Sequence, residues 1–152
     1  MEFRRVLFRS RRVQGDRHPD REAVGTGGDM TDRLDVLREI AAGFDTHDLD
    51  RIMRHFTDDA VFEAPRGPEA YGQRFHGKAA VREAFAGRFA GIPDVRYQED
   101  AHFVAGDRGA SEWTLRGTTV DGQRLEVRGC DLWTFRDDRV VKKDSYWKLR
   151  TT

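Results

Sequence analysis

One acidic residue stands on a strand face that is otherwise apolar. The stretch LEVRGCDLWTF alternates, and its first face carries Leu125, Val127, Gly129, Asp131, Trp133 and Phe135. A carboxyl group on such a face is costly unless it is paired, hydrogen-bonded or protonated. We therefore interpret Asp131 as a general acid, a general base or an oxyanion donor. The alternative is a structural acid that is held by the backbone or by Tyr146 or Trp147.

The expected surroundings of Asp131 are large apolar side chains, which suit a small, flat, apolar ligand. We predict that the pocket is lined by Phe44, Phe56, Phe62, Phe85, Trp113, Leu115, Val127, Gly129, Trp133 and Trp147. His76 and His102 are candidate proton shuttles, although alternation does not settle which face of its strand His102 occupies. No spacing is typical of a metal site or a phosphate-binding loop, and we expect no metal and no cofactor.

Composition narrows the class of protein. The chain has 152 residues, a formal net charge of +0 and a single cysteine, Cys130. This length fits one domain with a real core. The charge balance gives no reason to expect a nucleic acid or an anionic membrane as partner. One cysteine excludes an internal disulfide, and no apolar run approaches the roughly 18 residues of a membrane span, so we expect a cytoplasmic protein.

Residues 1–29 differ from the rest of the chain. They contain seven arginines, no lysine and no sustained period. We interpret them as a disordered or non-native extension, with the domain at residues 30–152. An arginine-rich targeting or nucleic-acid-binding arm is the alternative.

The domain begins with helical periodicity and continues with strands. The patterns predict three helices, with Leu34 to Phe44 at helical spacing in the first, Leu49 to Phe56 in the second and Lys78 to Phe89 in the third. A short strand, 59–64, lies between the second and third helices. Period-2 alternation then predicts strands over 95–104, 109–120, 123–135 and 140–149. The order predicts an α+β fold, in which a curved antiparallel sheet packs on the three N-terminal helices.

Several local motifs occur in an order that resembles a known superfamily. They are His55-Phe56-Thr57-Asp58-Asp59-Ala60, Phe75-His76-Gly77-Lys78, Gly129 to Phe135, Asp138 to Val141, and Ser145-Tyr146-Trp147. Together they resemble nuclear transport factor 2-like proteins, and within them the SnoaL-like and ketosteroid isomerase-like proteins. The resemblance implies a cone-shaped, cystatin-like roll with a pocket between sheet and helices. It also implies a homodimer through the outer sheet face, where Cys130, Leu132 and Thr134 lie.

The resemblance also assigns roles to single positions. Asp131 matches the isomerase acid that stays protonated and donates to the substrate oxyanion. The isomerase general base falls at Ala64, and the oxyanion-hole tyrosine falls near Ile40. Two supporting tyrosines fall near Phe56 and Phe85, so the steroid isomerase mechanism is not expected. Epoxide-hydrolase-like relatives need an arginine where this chain has Gly129. In SnoaL-like cyclases an aspartate on this face acts as acid and base, and the resemblance implies that role for Asp131.

Two functions remain open. The first is a small, cofactor-independent enzyme, in which Asp131 exchanges a proton with a small apolar carbonyl compound during an isomerisation, cyclisation, aldol or dehydration reaction. The second is a non-catalytic domain of the same fold that binds a small molecule or a partner. The missing acid at Ala64 favours the second, and the aromatic face around Asp131 favours the first. An open cavity that reaches Asp131 would support an enzyme.

Overall fold

Residues 32–151 fold as a curved, unclosed sheet of six strands that packs against three helices, and this fold is α+β as expected. The computed structural model describes residues 32–151, so the predicted extension at residues 1–29 lies outside the described residues. The helices are α1 (Arg33–Thr46), α2 (Leu49–Met53) and α3 (Lys78–Gly91). The strands are β1 (Phe56–Glu63), β2 (Arg74–His76), β3 (Arg96–Ala105), β4 (Arg108–Thr118), β5 (Arg124–Arg136) and β6 (Arg139–Trp147). None of these helices has the length and apolar character of a membrane span.

The four C-terminal strands form the predicted antiparallel meander. Their order in the sheet is β6-β5-β4-β3, and β1 adds to the free edge of β6 in parallel, with β2 beyond it. The sequence analysis did not predict the strand β2. It contains three residues, too few for alternation to be visible in the sequence, and it forms only because Phe75 and its neighbours pair with β1.

Short polar side chains set the helix ends. The carboxylate of Asp32 accepts a hydrogen bond from the backbone N–H of Leu34, which caps α1, and His47 ends that helix in the left-handed conformation. Asp48 caps α2 in the same way.

The prediction that Phe56 lies on this second helix is wrong. The helix ends at Met53, and Phe56 opens β1, where its backbone lies opposite Val140 of β6.

A bulge interrupts β3 and changes which side chains face inwards. Gln98 lies opposite Thr114, but Ala101 lies opposite Glu112, so β3 carries one extra residue between them. Glu99 sits at this point with a φ of 55° and bonds to Thr114 on the outer face of the sheet. Because a bulge shifts the alternation by one, side chains before and after it do not follow one parity.

Two apolar clusters fill the space between helices and sheet. The larger cluster joins the buried faces of α1, α2 and α3 to Trp133 and Phe135 of β5. The smaller cluster packs Ile92 and Val95 against Trp113 and Leu115 of β4. Phe56 is fully buried in the larger cluster, and its ring meets Phe85 and Trp133 edge-on.

There is no open space over the Cα of Gly129. It faces Trp113 in the cross-strand register, and the indole ring lies over the position where a Cβ would stand. The backbone oxygen of Tyr146 would be 2.6 Å from the same Cβ. The glycine is therefore needed for the close approach of a tryptophan ring to the strand.

We expect Gly129→Ala to lower the free energy of unfolding by about 1–3 kcal/mol, because the added methyl group overlaps the Trp113 ring and a fixed carbonyl oxygen. Urea denaturation followed by tryptophan fluorescence measures the change. Gly87→Ala is the matched control, since a Cβ at this helical position meets nothing within 4 Å. That control should be neutral or stabilising by up to ~1 kcal/mol. Equal stability of the two variants would contradict the account of Gly129.

Candidate functional site

A cavity of about 240 Å³ lies between the inner face of the sheet and the helices α1 and α3. Its walls are largely aromatic, and they also include the polar side chains of Asp131, Lys143, Ser145, Ser111 and His102. Two further lining residues, Arg38 and Asp100, have side chains that are 60% and 46% exposed. The cavity therefore reaches solvent between α1 and β3.

The observed cavity wall includes only some of the residues that were predicted to line it. Six of the ten predicted lining residues surround the cavity, namely Phe44, Phe62, Phe85, Trp113, Trp133 and Trp147. The prediction is wrong for Phe56 and Leu115, which are fully buried in the cores behind these rings. It is also wrong for Gly129, which the Trp113 ring covers, and for Val127, which lines a neighbouring cleft beside Trp147.

Asp131 is buried and is held by three donors. Its Oδ1 accepts hydrogen bonds from Lys143 Nζ at 2.8 Å and Ser145 Oγ at 2.6 Å. Its Oδ2 accepts one from Trp113 Nε1 at 2.8 Å. The resemblance implied an acid that donates a proton from an apolar site, whereas here every protein partner donates to the carboxyl group. The arrangement is that of an acceptor with a fixed orientation and a cationic partner.

Lys143 is the most important residue that the sequence analysis missed. Its side chain is 8% exposed, and Nζ also donates to Ser145 Oγ at 2.7 Å. Four aromatic rings surround the ammonium group, with Nζ 4.9–5.7 Å from the centroids of Phe44, Phe62, Phe85 and Trp133. Burial lowers the pKa of Lys143, although the carboxylate of Asp131 opposes that shift.

A signal for Lys143 was present in the sequence. Lys143 and Ser145 lie four and two residues before Trp147 along β6, so all three belong to one face of that strand. Trp147 was already assigned to the cavity. Applying the same parity to the two polar residues would have placed them beside Asp131.

The polar side chains form a row across four strands. His102 of β3 lies opposite Ser111 of β4, Ser111 lies opposite Asp131 of β5, and Asp131 lies opposite Ser145 of β6. Trp133 Nε1 donates to Ser111 Oγ at 2.9 Å, as Trp113 does to Asp131. Two tryptophans thus contribute both apolar walls and the donors that hold this row.

His102 lies in the cavity wall because of the bulge in β3. Its Nε2 is 2.7 Å from Asp100 Oδ2, and its Nδ1 is 2.7 Å from Ser111 Oγ. The carboxylate can only accept, so Nε2 carries a hydrogen, and in the neutral ring Nδ1 accepts from the serine hydroxyl. The other candidate shuttle, His76, is exposed on β2 and is not among the residues that line the cavity.

Tyr97 and Arg88 are further cavity residues that the sequence analysis did not single out. The ring of Tyr97 packs edge-on against Phe44 and Trp113. Burial raises the pKa of the Tyr97 phenol. The charge of Arg88 opposes this shift and the charge of Asp131 adds to it, so the hydroxyl keeps its proton at neutral pH. The guanidinium of Arg88 lies over the Trp147 ring, 4.4 Å from its centroid.

No group of three or more histidine, cysteine, aspartate or glutamate side chains within residues 32–151 is arranged to hold a metal ion.

Comparison with known proteins identifies the fold and the family. A protein of unknown function from Mesorhizobium loti, described as NTF2-like, superposes with a TM-score of 0.66 at 26% identity, covering 87% of this chain and 98% of its own. A proposed polyketide cyclase from Xanthomonas campestris gives a TM-score of 0.68 at 16% identity, covering 76% and 90%. TerC, co-crystallised with polyporic acid, gives 0.65 at 20% identity, covering 76% and 91%. No curated protein sequence matches.

These structures define the class as the nuclear transport factor 2-like fold, which the sequence motifs had suggested. A family model described as the SnoaL-like domain matches residues 37–143, most of the described chain. The protein belongs to the SnoaL-like domain family. Because 405 chains of solved structures match, the fold is widely used, and the reaction has to be argued from the cavity.

We expect Lys143 Nζ to titrate below the usual lysine value of ~10.4 in nitrogen-detected NMR of lysine-labelled protein, because burial lowers its pKa. Lys78, Lys142 and Lys148 are the other lysines of the chain and serve as internal references. Between the lowered pKa and that usual value the unfolded chain binds the proton more tightly, so this group makes the free energy of unfolding rise with pH. A Lys143 signal that titrates at or above the usual value would contradict the prediction.

Proposed function

We propose that this protein is a small, cofactor-independent enzyme that exchanges protons with a small, mostly apolar carbonyl compound. The observation that supports this proposal is the position of Asp131. It is a buried hydrogen-bond acceptor that lines an aromatic cavity and is oriented by three donors. The reaction belongs to the isomerisation, cyclisation, aldol or dehydration type, in which a proton leaves or joins a carbon next to a carbonyl group. That relatives include proteins described as polyketide cyclases and isomerases supports this reaction class.

The two oxygens of Asp131 have different roles in this proposal. Oδ1 already accepts from Lys143 and Ser145, whereas Oδ2 accepts only from Trp113 among the described residues. Oδ2 therefore has the lone pair with which to take a proton from a bound ligand. The neighbouring ammonium group of Lys143 is the cationic partner of the carboxyl group and fixes its orientation.

Charge that develops on the substrate oxygen needs a donor. Tyr97 lines the same cavity, and burial raises the pKa of its phenol, which therefore stays protonated at neutral pH. A neutral phenol in an apolar cavity is a suitable donor for an enolate oxygen. Tyr97 thus takes, from β3 rather than from α1, the role for which the isomerases use a tyrosine near the position of Ile40.

We further propose that His102 carries protons between the cavity and solvent. It links the buried Ser111 hydroxyl to Asp100, whose side chain is 46% exposed. A histidine with a carboxylate on one nitrogen and a hydroxyl on the other can pass a proton from one side to the other.

The alternative is a non-catalytic binding domain of the same fold. The absence of an acid at the Ala64 position favours it, whereas the open cavity beside Asp131 and the polar row favour an enzyme. Both functions predict that a small apolar carbonyl compound stabilises the protein against heat, since a ligand that binds the folded state raises its stability. Only an enzyme also alters the ligand.

We expect Asp131→Asn to lower turnover roughly 100-fold or more, because the amide cannot accept the proton that the carboxylate takes. Compounds that stabilise the protein thermally are incubated with it in D₂O, and proton NMR follows deuterium entry next to the carbonyl group. Asp144→Asn is the matched control, because Asp144 lies on the neighbouring strand and bonds to the exposed Tyr146 hydroxyl. Equal exchange rates for both variants would contradict the role of Asp131.

We also propose a cytoplasmic homodimer that forms through the outer face of the sheet. Cys130, Leu132 and Thr134 occupy the centre of this face and are half-buried, and Tyr146 beside them is 52% exposed. Glu112 and Arg128 supply an exposed, charged rim. An apolar centre inside a polar rim is typical of an interface between two copies of one chain.

Sedimentation velocity at micromolar concentration should show a dimer that Leu132→Glu converts to a monomer, because the new carboxylate would be buried against its symmetry mate. Ala79→Glu adds the same charge on the exposed surface of α3 and should leave the dimer intact. A monomeric unmodified protein would exclude this interface.

A further inference from the structure

Lysine is rare in this chain, and one of its lysines lies in the cavity wall. Among 27 basic residues the sequence has only four lysines, at positions 78, 142, 143 and 148. An arginine at position 143 could pair with Asp131, but a guanidinium group does not release its proton in proteins. A lysine can release its proton, and the free amine is then a nucleophile.

The environment of Lys143 Nζ leaves part of the amine available to a ligand. Two of its three hydrogens are directed to Asp131 Oδ1 and Ser145 Oγ, at 2.8 Å and 2.7 Å. The third has no acceptor within residues 32–151, and the aromatic rings around Nζ offer none. Because Lys143 lines the cavity, a molecule that fills the cavity contacts the Lys143 side chain.

We propose that Lys143 forms an imine with the carbonyl compound that binds in the cavity, with Asp131 transferring the protons. This inference rests on the proposed function, which supplies the class of ligand. Lys143 first gives a proton to Asp131, and the free amine adds to the carbonyl carbon. Asp131 returns the proton to the new alkoxide, which forms a carbinolamine.

The second half of the reaction removes water. Asp131 takes a proton from the nitrogen of the carbinolamine and passes it to the hydroxyl group, which leaves as water and generates the iminium ion. One ammonium group and one carbonyl group are thus converted into one iminium ion and one water molecule, without a net change in protons or charge. No further reactant is required.

The buried ion pair makes this product favourable. The carboxylate of Asp131 is buried and needs a cation beside it, because an unpaired buried charge is strongly destabilising. The iminium ion carries its positive charge on the same nitrogen, so Asp131 has a cationic partner in the product as it has at the start. Burial also lowers the pKa of Lys143, which raises the fraction of free amine at neutral pH.

An imine at this position would specify the reaction class more closely. The iminium ion withdraws electrons from the neighbouring carbon, which weakens a carbon–hydrogen or a carbon–carbon bond there. Aldol addition, its reverse, and proton exchange next to the carbonyl group all use that effect. Asp131, hydrogen-bonded to the same nitrogen, is positioned to exchange the proton.

The test is reductive trapping on the full-length protein. Phenylacetone and benzaldehyde serve as probes with sodium cyanoborohydride at neutral pH, and peptide mass spectrometry locates the amine product. We expect Lys143 to be modified roughly tenfold faster than Lys142, its half-buried neighbour, because the cavity holds the probe beside one amine. Lys142→Arg should keep the modification and Lys143→Arg should abolish it. Equal modification of Lys142 and Lys143, or none at Lys143, would overturn the proposal. This comparison uses the protein without substitutions, so its outcome does not depend on whether the variants fold.

The failure of this inference can be told apart from that of the proposed function. Deuterium exchange into phenylacetone that persists in Lys143→Arg without trapping would overturn the imine and retain Asp131 as a simple base. Trapping at Lys143 without any deuterium exchange would support the imine and overturn proton exchange by Asp131. The absence of both, with the probes bound, would overturn both proposals.

Discussion

The buried ion pair between Lys143 and Asp131 is the interaction on which the rest of the site depends. Neither group tolerates burial alone, and their attraction offsets desolvation only when further hydrogen bonds satisfy them. Ser145 and Trp113 supply those bonds, and aromatic rings cover the ammonium group. These supporting side chains belong to several different strands and helices. The position of the pair therefore requires most of the fold to be formed.

The two tryptophans explain how a largely apolar cavity carries so many polar groups. Trp113 and Trp133 each present a ring to the cavity and direct an indole N–H to a polar residue of the row. Tryptophan is suited to this role because its large apolar surface ends in one donor. Replacing either with phenylalanine would preserve much of the shape and remove a bond that fixes Asp131 or Ser111.

Much of the fold was predictable because helical and strand periodicity are local. Asp131 was recognisable since an acid on an apolar strand face is conspicuous, and Lys143 could have been found from its spacing to Trp147. The strand β2 could not have been found from the sequence, because its three residues form a strand only by pairing with β1. The absence of Phe56 and Leu115 from the cavity was not predictable either. Alternation places a side chain on the inner face, but only the packing decides whether it reaches the cavity or lies behind another ring.

The bulge at Glu99 has a consequence for how this wall of the cavity changes between relatives. Tyr97 and His102 both face inwards although they are five residues apart, and the extra residue between them is what permits this. Loss of that residue would remove the bulge and leave Tyr97 opposite Leu115 and His102 opposite Ser111, four residues apart and still on the inner face. A strand of the same length without the bulge would instead place Ala101 opposite Ser111 and turn His102 outwards. A change of one residue in the length of β3 at this point can therefore preserve the cavity wall, whereas straightening the strand at constant length would alter it.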